Sequence, residues 1–303
     1  MSQKVLLTGA AGRLGRRVCD ALVEAGCDVR ATDRTYRGDL PCRLEVADLL
    51  DANAAYRLLD GCDAVVHLAN YPNVRSGLPV QQLYRENMAM DVNVFQAATE
   101  MGIKKLVFSS SVQAFSGDRG IHWHHDDGDE PDALRRPSCL AYLPIDGDAP
   151  PCPRNLYALS KVACEQMLRY YADLDDELSA TAVRYPFLMS ERALHWFRHH
   201  GRNHAGHLHG NPDEGFSYLF LSDAASLVVA ILDKQPPGYH QLCPASPRPH
   251  VSVPVPELIE KCFPGVPLRK PVDEMIGLVD ISRITETLGW APEHVDLSAD
   301  DEE

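Results

Sequence analysis

Residues 4–26, "KVLLTGAAGRLGRRVCDALVEAG", decide the fold. "KVLLTG" is a short, apolar, strand-like run, and "RLGRRVCDALVEAG" has a helical period that stops at Gly26. Between them "TGAAGRLG" spaces Gly9, Gly12 and Gly15 as G-x-x-G-x-x-G. In such a turn Gly9 lets the chain bend tightly off the strand, and Gly12 lets the backbone approach a pyrophosphate. Gly15 permits close helix–sheet packing, while the helix N-terminus faces the anion. "DVRATD" reads as the next strand and ends on Asp33, the acidic residue a dinucleotide fingerprint needs in that context.

The same rhythm continues outward. "RLEVAD", "DAVVHLA" and "KKLVFSS" repeat the strand pattern, with helical stretches "DANAAYRLLDG" and "LYRENMAMDVNVFQAATEMG" between them. Strands alternating with helices imply right-handed βαβ units and a parallel sheet covered on both faces. The expected fold class is α/β, a doubly wound parallel sheet of Rossmann type with a smaller C-terminal substrate lobe. Residues 1–185 and 216–245 are assigned to the NAD-binding domain, and 186–215 and 246–303 to the lobe.

Composition narrows the functional classes. The chain has 303 residues, 45% of them hydrophobic, and a formal net charge of −14. So acidic a protein lacks the general positive field that binds nucleic acid or anionic membrane. The start, "MSQKVLLTGAAG", has no basic segment followed by a long apolar one, so no signal peptide is expected, and no apolar run reaches membrane-span length. Nine scattered cysteines without a CxxC pair fit a reducing cytoplasm better than a disulfide framework or zinc site. The expected location is cytoplasmic.

"NLYALSK", residues 155–161, puts Tyr157 and Lys161 one helical turn apart on one face, where both can act on one object. Together with "TGAAGRLG", Asp33, "ADL" at 47–49, "DAVVHLAN" at 63–70, Asn87, "VFSSSVQAFSG" at 107–117 and "VRYP" at 183–186, this order of motifs resembles the extended short-chain dehydrogenase/reductases of the NAD-dependent epimerase/dehydratase family. The resemblance implies an enzyme with NAD as cofactor and Ser111, Tyr157 and Lys161 as catalytic residues, with Asn87 a further candidate. It implies a cofactor site built from Gly9, Ala11, Gly12, Arg13, Leu14, Gly15, Asp33, Arg34, Asp48, Leu49, Leu68, Ala69, Asn70, Asn87, Ser109, Tyr157, Lys161, Tyr185 and Pro186. The family often dimerises through a helix pair, which makes a homodimer an expectation that nothing in the residues tests.

The chemistry follows from the side chains. A free phenol ionises near ~10, too high for a base at neutral pH. Lys161 and the positive nicotinamide ring of the oxidised cofactor are expected to lower that value, so that Tyr157 takes a proton from a substrate hydroxyl. Lys161 would also hold the nicotinamide ribose, and Ser111 would position the reacting oxygen. Asp33 favours NAD over NADP, while Arg34 softens that preference.

Departures from the family pattern shape the substrate expectation. Where nucleotide-sugar enzymes commonly place an asparagine near the diphosphate, this chain has Phe187, and "GNPDEGFSYLFLSD" carries no Lys or Arg. Ser111 is followed by Val112 and Gln113 rather than an acidic pair, which argues against dehydration. An enlarged segment around 118–140 reads as part of a lid. Histidines at 122–125 and 195–209 read as substrate-facing groups rather than a metal site; no metal is expected. The function expected is hydride transfer from a secondary alcohol of a sugar, sugar acid or sugar phosphate. A nucleotide-sugar epimerase with the same three residues is the alternative, and a non-catalytic NAD(P)-binding regulator a third reading.

Overall fold

Seven strands form one parallel sheet, and their order fixes where a ligand can sit. The computed structural model describes residues 2–73, 76–116, 137–200, 212–295 and 297, with backbone alone at 198–200. In chain order the strands are β1 (Lys4–Thr8), β2 (Asp28–Asp33), β3 (Leu44–Val46), β4 (Ala64–His67), β5 (Lys105–Ser111), β6 (Ser179–Tyr185), β7 (Phe187–Met189), β8 (Tyr218–Phe220) and β9 (Gly238–Leu242). The main sheet runs β3-β2-β1-β4-β5-β6-β9. The chain winds outward from β1 through β2 to β3, then returns to β1's other side for β4 and winds the opposite way. That reversal opens a crevice beyond the C-terminal ends of β1 and β4, where doubly wound sheets bind ligands.

Nine α-helices are described: α1 (Arg13–Glu24), α2 (Ala52–Leu59), α3 (Val80–Glu100), α4 (Gln113–Ser116), α5 (Leu156–Leu174), α6 (Glu191–His200), α7 (Leu221–Lys234), α8 (Val255–Cys262) and α9 (Ser282–Leu288). Strand alternation divides them between two faces. Val5, Leu7, Ala64 and Val66 face α1, α7 and α9, packing with Val18, Leu22, Leu227, Ile231 and Leu288. Leu6, Val65, Leu106 and Phe108 face α2, α3 and α5, packing with Leu58, Phe95, Cys164 and Leu168. Phe95 and Phe108 meet edge to face at 5.4 Å and are each 1% exposed. Burying such a ring contributes about 1.5–3 kcal/mol, so this contact helps fix α3 against β5.

A third apolar cluster lies off the sheet. Leu140, Leu143 and Ile145 pack with Phe216, Val251, Leu258, Phe263 and Leu278. Leu143 bridges Leu268 and Ile145 bridges Val279 in parallel register. Residues 282–290 instead return to the sheet through Ile284, Leu288 and Trp290. Within 216–245, assigned to the cofactor domain, β9 joins the main sheet beside β6, whereas β8 pairs with β7 in a separate two-stranded unit. No helix among the described residues is long and apolar enough to cross a membrane.

Candidate active site

The glycine turn is built by close approach. Gly9 has φ +69°, and a Cβ there would lie 2.7 Å from the Ala69 amide nitrogen at the end of β4. A Cβ at Gly15 would lie 2.1 Å from the Gly9 carbonyl oxygen, so any larger residue would push α1 off the turn. Gly12 begins α1, and no side chain caps that helix. The first helical amides, at Arg13 and Leu14, have no carbonyl a turn earlier to receive them, and they carry the positive end of the helix dipole. A cradle without side chains beneath an uncapped N-terminus fits a dinucleotide pyrophosphate.

Asp33, at the tip of β2, accepts Ala11 N–H through Oδ2 and Thr35 N–H through Oδ1, each at 3.1 Å. Arg34 turns away from that carboxylate. Its Nη1 donates to the Tyr71 hydroxyl at 2.7 Å, and its guanidinium lies 4.8 Å from that ring's centre. Tyr71 in turn donates to Glu86. Asp48 closes its own turn by accepting Leu50 N–H at 3.0 Å, and Leu49 is buried in the apolar layer beneath α2 and α3. Asn87 is fully buried, and both ends of its amide hold the Tyr71 backbone, at 2.9 and 3.2 Å.

The three catalytic candidates meet where β5 ends and α5 begins. Ser111 closes β5 beside Tyr185 of β6, while Pro186 is buried just beyond. Asn155 caps α5 by accepting Ala158 N–H at 2.8 Å, which fixes the first turn that carries Tyr157. Tyr157 is 6% exposed, and the Ser111 hydroxyl beside it favours its ionised form. Lys161, 2% exposed, donates to Asn70 Oδ1 at 2.5 Å and to the Ser109 carbonyl at 2.8 Å. Its ammonium also lies 4.5 Å from the Phe108 ring centre.

In the protein without its cofactor the surroundings of the phenol oppose ionisation. Burial pushes the Tyr157 phenol up to about 12, outweighing the lowering effect of Ser111, and the charges of Glu214 and Asp91 add to the rise. Lys161 donates to Asn70 and Ser109 while its ammonium lies 5.6 Å from the Tyr157 ring centre, and burial lowers its own proton affinity. In the protein alone, desolvation wins over the lysine's field.

A second group of buried polar residues escapes the sequence reading. Thr8 Oγ1 accepts the Leu68 and Ala69 amides, each at 3.2 Å, so its own proton goes to His67 Nδ1 at 2.7 Å. That leaves a proton on His67 Nε2 for Asp91 Oδ1 at 2.8 Å. Asp91 also accepts Asn70 Nδ2 and Cys164 Sγ, each at 2.7 Å. The signal lay in the i, i+4 row Asn87–Asp91–Phe95 of α3, which places a carboxylate among inward-facing residues.

On the substrate side, Phe187 is 45% exposed on β7. Its ring lies 6.2 Å from Phe197 of α6. Residues 117–136 and 201–211, with most of the enlarged segment and of the histidine-rich stretches, lie outside the described residues. The described residues contain no group of three or more His, Cys, Asp or Glu able to hold a metal ion.

Comparison with known proteins places this geometry. An NAD-dependent glucose-6-phosphate dehydrogenase of Haloferax volcanii is 35% identical over 191 residues, covering 61% of this chain and 68% of that one. A uronate dehydrogenase of Agrobacterium fabrum is 30% identical over 173 residues, 56% of each chain. The structure of UDP-glucose 4-epimerase from Bifidobacterium longum, in complex with NAD+ and UDP, superposes with a TM-score of 0.68 at 20% identity. That superposition covers 96% of this chain and 94% of that one, and it shows the shared fold. Residues 5–241 match the NAD dependent epimerase/dehydratase family across the glycine turn, the Ser111–Tyr157–Lys161 cluster and the sheet through β9, and the chain belongs to that family.

Proposed function

We propose that this protein is an NAD-dependent dehydrogenase that oxidises a secondary alcohol of a sugar, sugar acid or sugar phosphate. The observation that carries this reading is the meeting of Ser111, Tyr157 and Lys161 beyond the strand ends, next to an uncapped helix N-terminus cradled by Gly9 and Gly15. NAD, when bound, supplies the hydride acceptor and a positively charged ring. Gly12, Arg13 and Leu14 would hold its pyrophosphate through backbone amides, and Asp33 its adenosine ribose, which favours NAD over NADP.

The chain's own residues handle the proton. Ser111 holds the reacting hydroxyl oxygen at hydrogen-bond distance from Tyr157, and Tyr157 accepts the proton as carbon loses hydride. A phenol at about 12 must gain roughly 7 kcal/mol of favourable interaction with its anion to work near neutrality. Lys161 has three N–H donors and uses two on Asn70 and Ser109. The third would supply part of that field, and the positive ring of the cofactor, when bound, would supply the rest. The residues after Ser111 cannot eliminate water: Val112 is apolar, and the Gln113 side chain is an amide that accepts from Asn155.

Substrate size follows from Phe187. A benzyl side chain in place of a hydrogen-bonding one would leave diphosphate oxygens desolvated and unpaired, at a cost of several kcal/mol. The nucleotide-sugar epimerase reading shares all three catalytic groups and differs there. The test is a side-by-side kinetic comparison of free, acidic and phosphorylated sugars with UDP- and dTDP-sugars, following NADH formation and isomerised product. NADH formation from a small sugar is expected. Far higher kcat/KM on a nucleotide sugar, with no net NADH, would replace this reading by the epimerase one.

A further inference from the structure

We infer that Asp91 is a positioning residue: through Asn70 it fixes the direction of the Lys161 ammonium, and it supplies that ammonium's countercharge. The inference rests on the proposed function only for what Lys161 then does.

Asp91 is fully buried and takes three side-chain donors. His67 offers a ring N–H, Asn70 an amide and Cys164 a thiol. Three donors on one carboxylate stabilise the anion. Burial would raise the Asp91 carboxyl, but the His67 hydrogen bond and charge, the Lys161 charge and the Cys164 hydrogen bond outweigh it and hold it below its ordinary value.

An isolated buried anion is costly, so a cation must balance it. The charged and titratable groups facing it are few. From β4 comes His67, and from α5 come Tyr157, Lys161, Cys164 and Glu165. Glu165 is already paired with Arg184, both side chains being 1% exposed. Lys161 is the ammonium among them, and it is reached across one amide instead of by direct contact.

That amide sets direction. Asn70 gives Nδ2 to Asp91 and so turns Oδ1 toward Lys161. Without the carboxylate, Nδ2 keeps only the Ala69 carbonyl as acceptor, and the amide's hold on the ammonium is weakened. A merely structural aspartate would affect stability but not the proton affinity of Lys161.

The experiment reads that affinity directly. The chain has seven lysines, so the full-length protein labelled with ε-13C lysine gives a short list of resonances, with Lys161 identified by its loss in Lys161→Arg. In wild type the Lys161 signal should report an ammonium at pH 7. In the isosteric Asp91→Asn the acid dissociation constant of Lys161 should rise at least about tenfold, with a second shift on Asn70→Leu showing the relay. An unchanged Lys161 titration in folded Asp91→Asn would overturn the inference. If Asp91→Asn does not fold, the wild-type spectrum still decides: a neutral Lys161 amine at pH 7 overturns it, and an ammonium supports it. This readout needs no substrate. Failure to find a dehydrogenase substrate would sink the proposed function and leave this result standing.

Discussion

Two buried cations sit near one face of α5, and they are treated in opposite ways. Arg184 is closed off: Nε and Nη2 donate to the two carboxylate oxygens of Glu165 at 2.9 and 2.7 Å, and Nη1 donates to the Ala149 carbonyl at 2.6 Å. Ser110 adds a third bond to Glu165 at 2.6 Å. Lys161, one turn earlier on the helix, touches no carboxylate directly and keeps a donor in reserve. A guanidinium locked bidentately has no freedom left with which to act. An ammonium held by an amide and a carbonyl can turn to a new partner at little cost. Burial alone therefore does not mark a working charge; the unfilled valence does.

The largest expected effect breaks the working side. Tyr157→Phe should lower kcat by about 10²–10⁴-fold while the folded protein's melting temperature stays close to wild type, measured by NADH formation and calorimetry. Breaking the closed side should do the reverse. Glu165→Gln leaves Arg184 buried with only half its pair and should cost about 3–5 kcal/mol of stability in denaturant titration. The double replacement Glu165→Leu with Arg184→Met should recover most of that, as apolar substitutes for buried pairs often do.

The third effect is smaller and depends on pH. The Tyr157 phenol in the folded protein stands at about 12, above the unfolded value near ~10. Its contribution to stability is thus fully present below about pH 10 and is lost as pH rises toward 12. Over that window wild type should lose roughly 2–3 kcal/mol more than Tyr157→Phe, compared by urea unfolding at several alkaline pH values. The smallest effect concerns Arg34, which is occupied by Tyr71. Arg34→Ala should change the preference of NAD over NADP by less than about threefold, well under 1 kcal/mol, in direct titration. A larger change would mean that Arg34 leaves Tyr71 when the cofactor binds.

Much of this contrast was written locally in the chain. The glycine spacing and its flanking strand and helix gave the β1–α1 turn, because each of those signals spans only a few residues. Tyr157 and Lys161 were legible together because a helix sets residues four apart side by side. Asp91 was not. An acidic residue in "MAMDVNVF" reads as solvent-facing until α3 is docked and its Asn87–Asp91–Phe95 row turns inward. The raised Tyr157 phenol was missed for a related reason, since it depends on how deeply the packing of distant segments buries the ring. The pairing of β8 with β7 likewise joins segments some thirty residues apart, and the period of three residues cannot name a partner.

The contacts around Cys139 have a consequence for how this chain tolerates change. Its thiol donates to the carbonyls of Phe115 and Ser116, while Ser138 Oγ and Cys139 N–H bind the buried Asp213. These bonds pinch together the two sides of the stretch that begins after Ser116 and ends before Pro137, at a point between Ser111 and Tyr157. Because the ends meet there, adding or removing residues between them costs mainly closure entropy, about 0.6 kcal/mol for each doubling of length. The neck itself lies between Ser111 and Tyr157 and ties the two ends of the stretch together. Lengthening that stretch by a dozen glycine and serine residues should leave melting temperature and Tyr157 titration nearly unchanged, which makes it a place where new substrate contacts can arise without disturbing the chemistry.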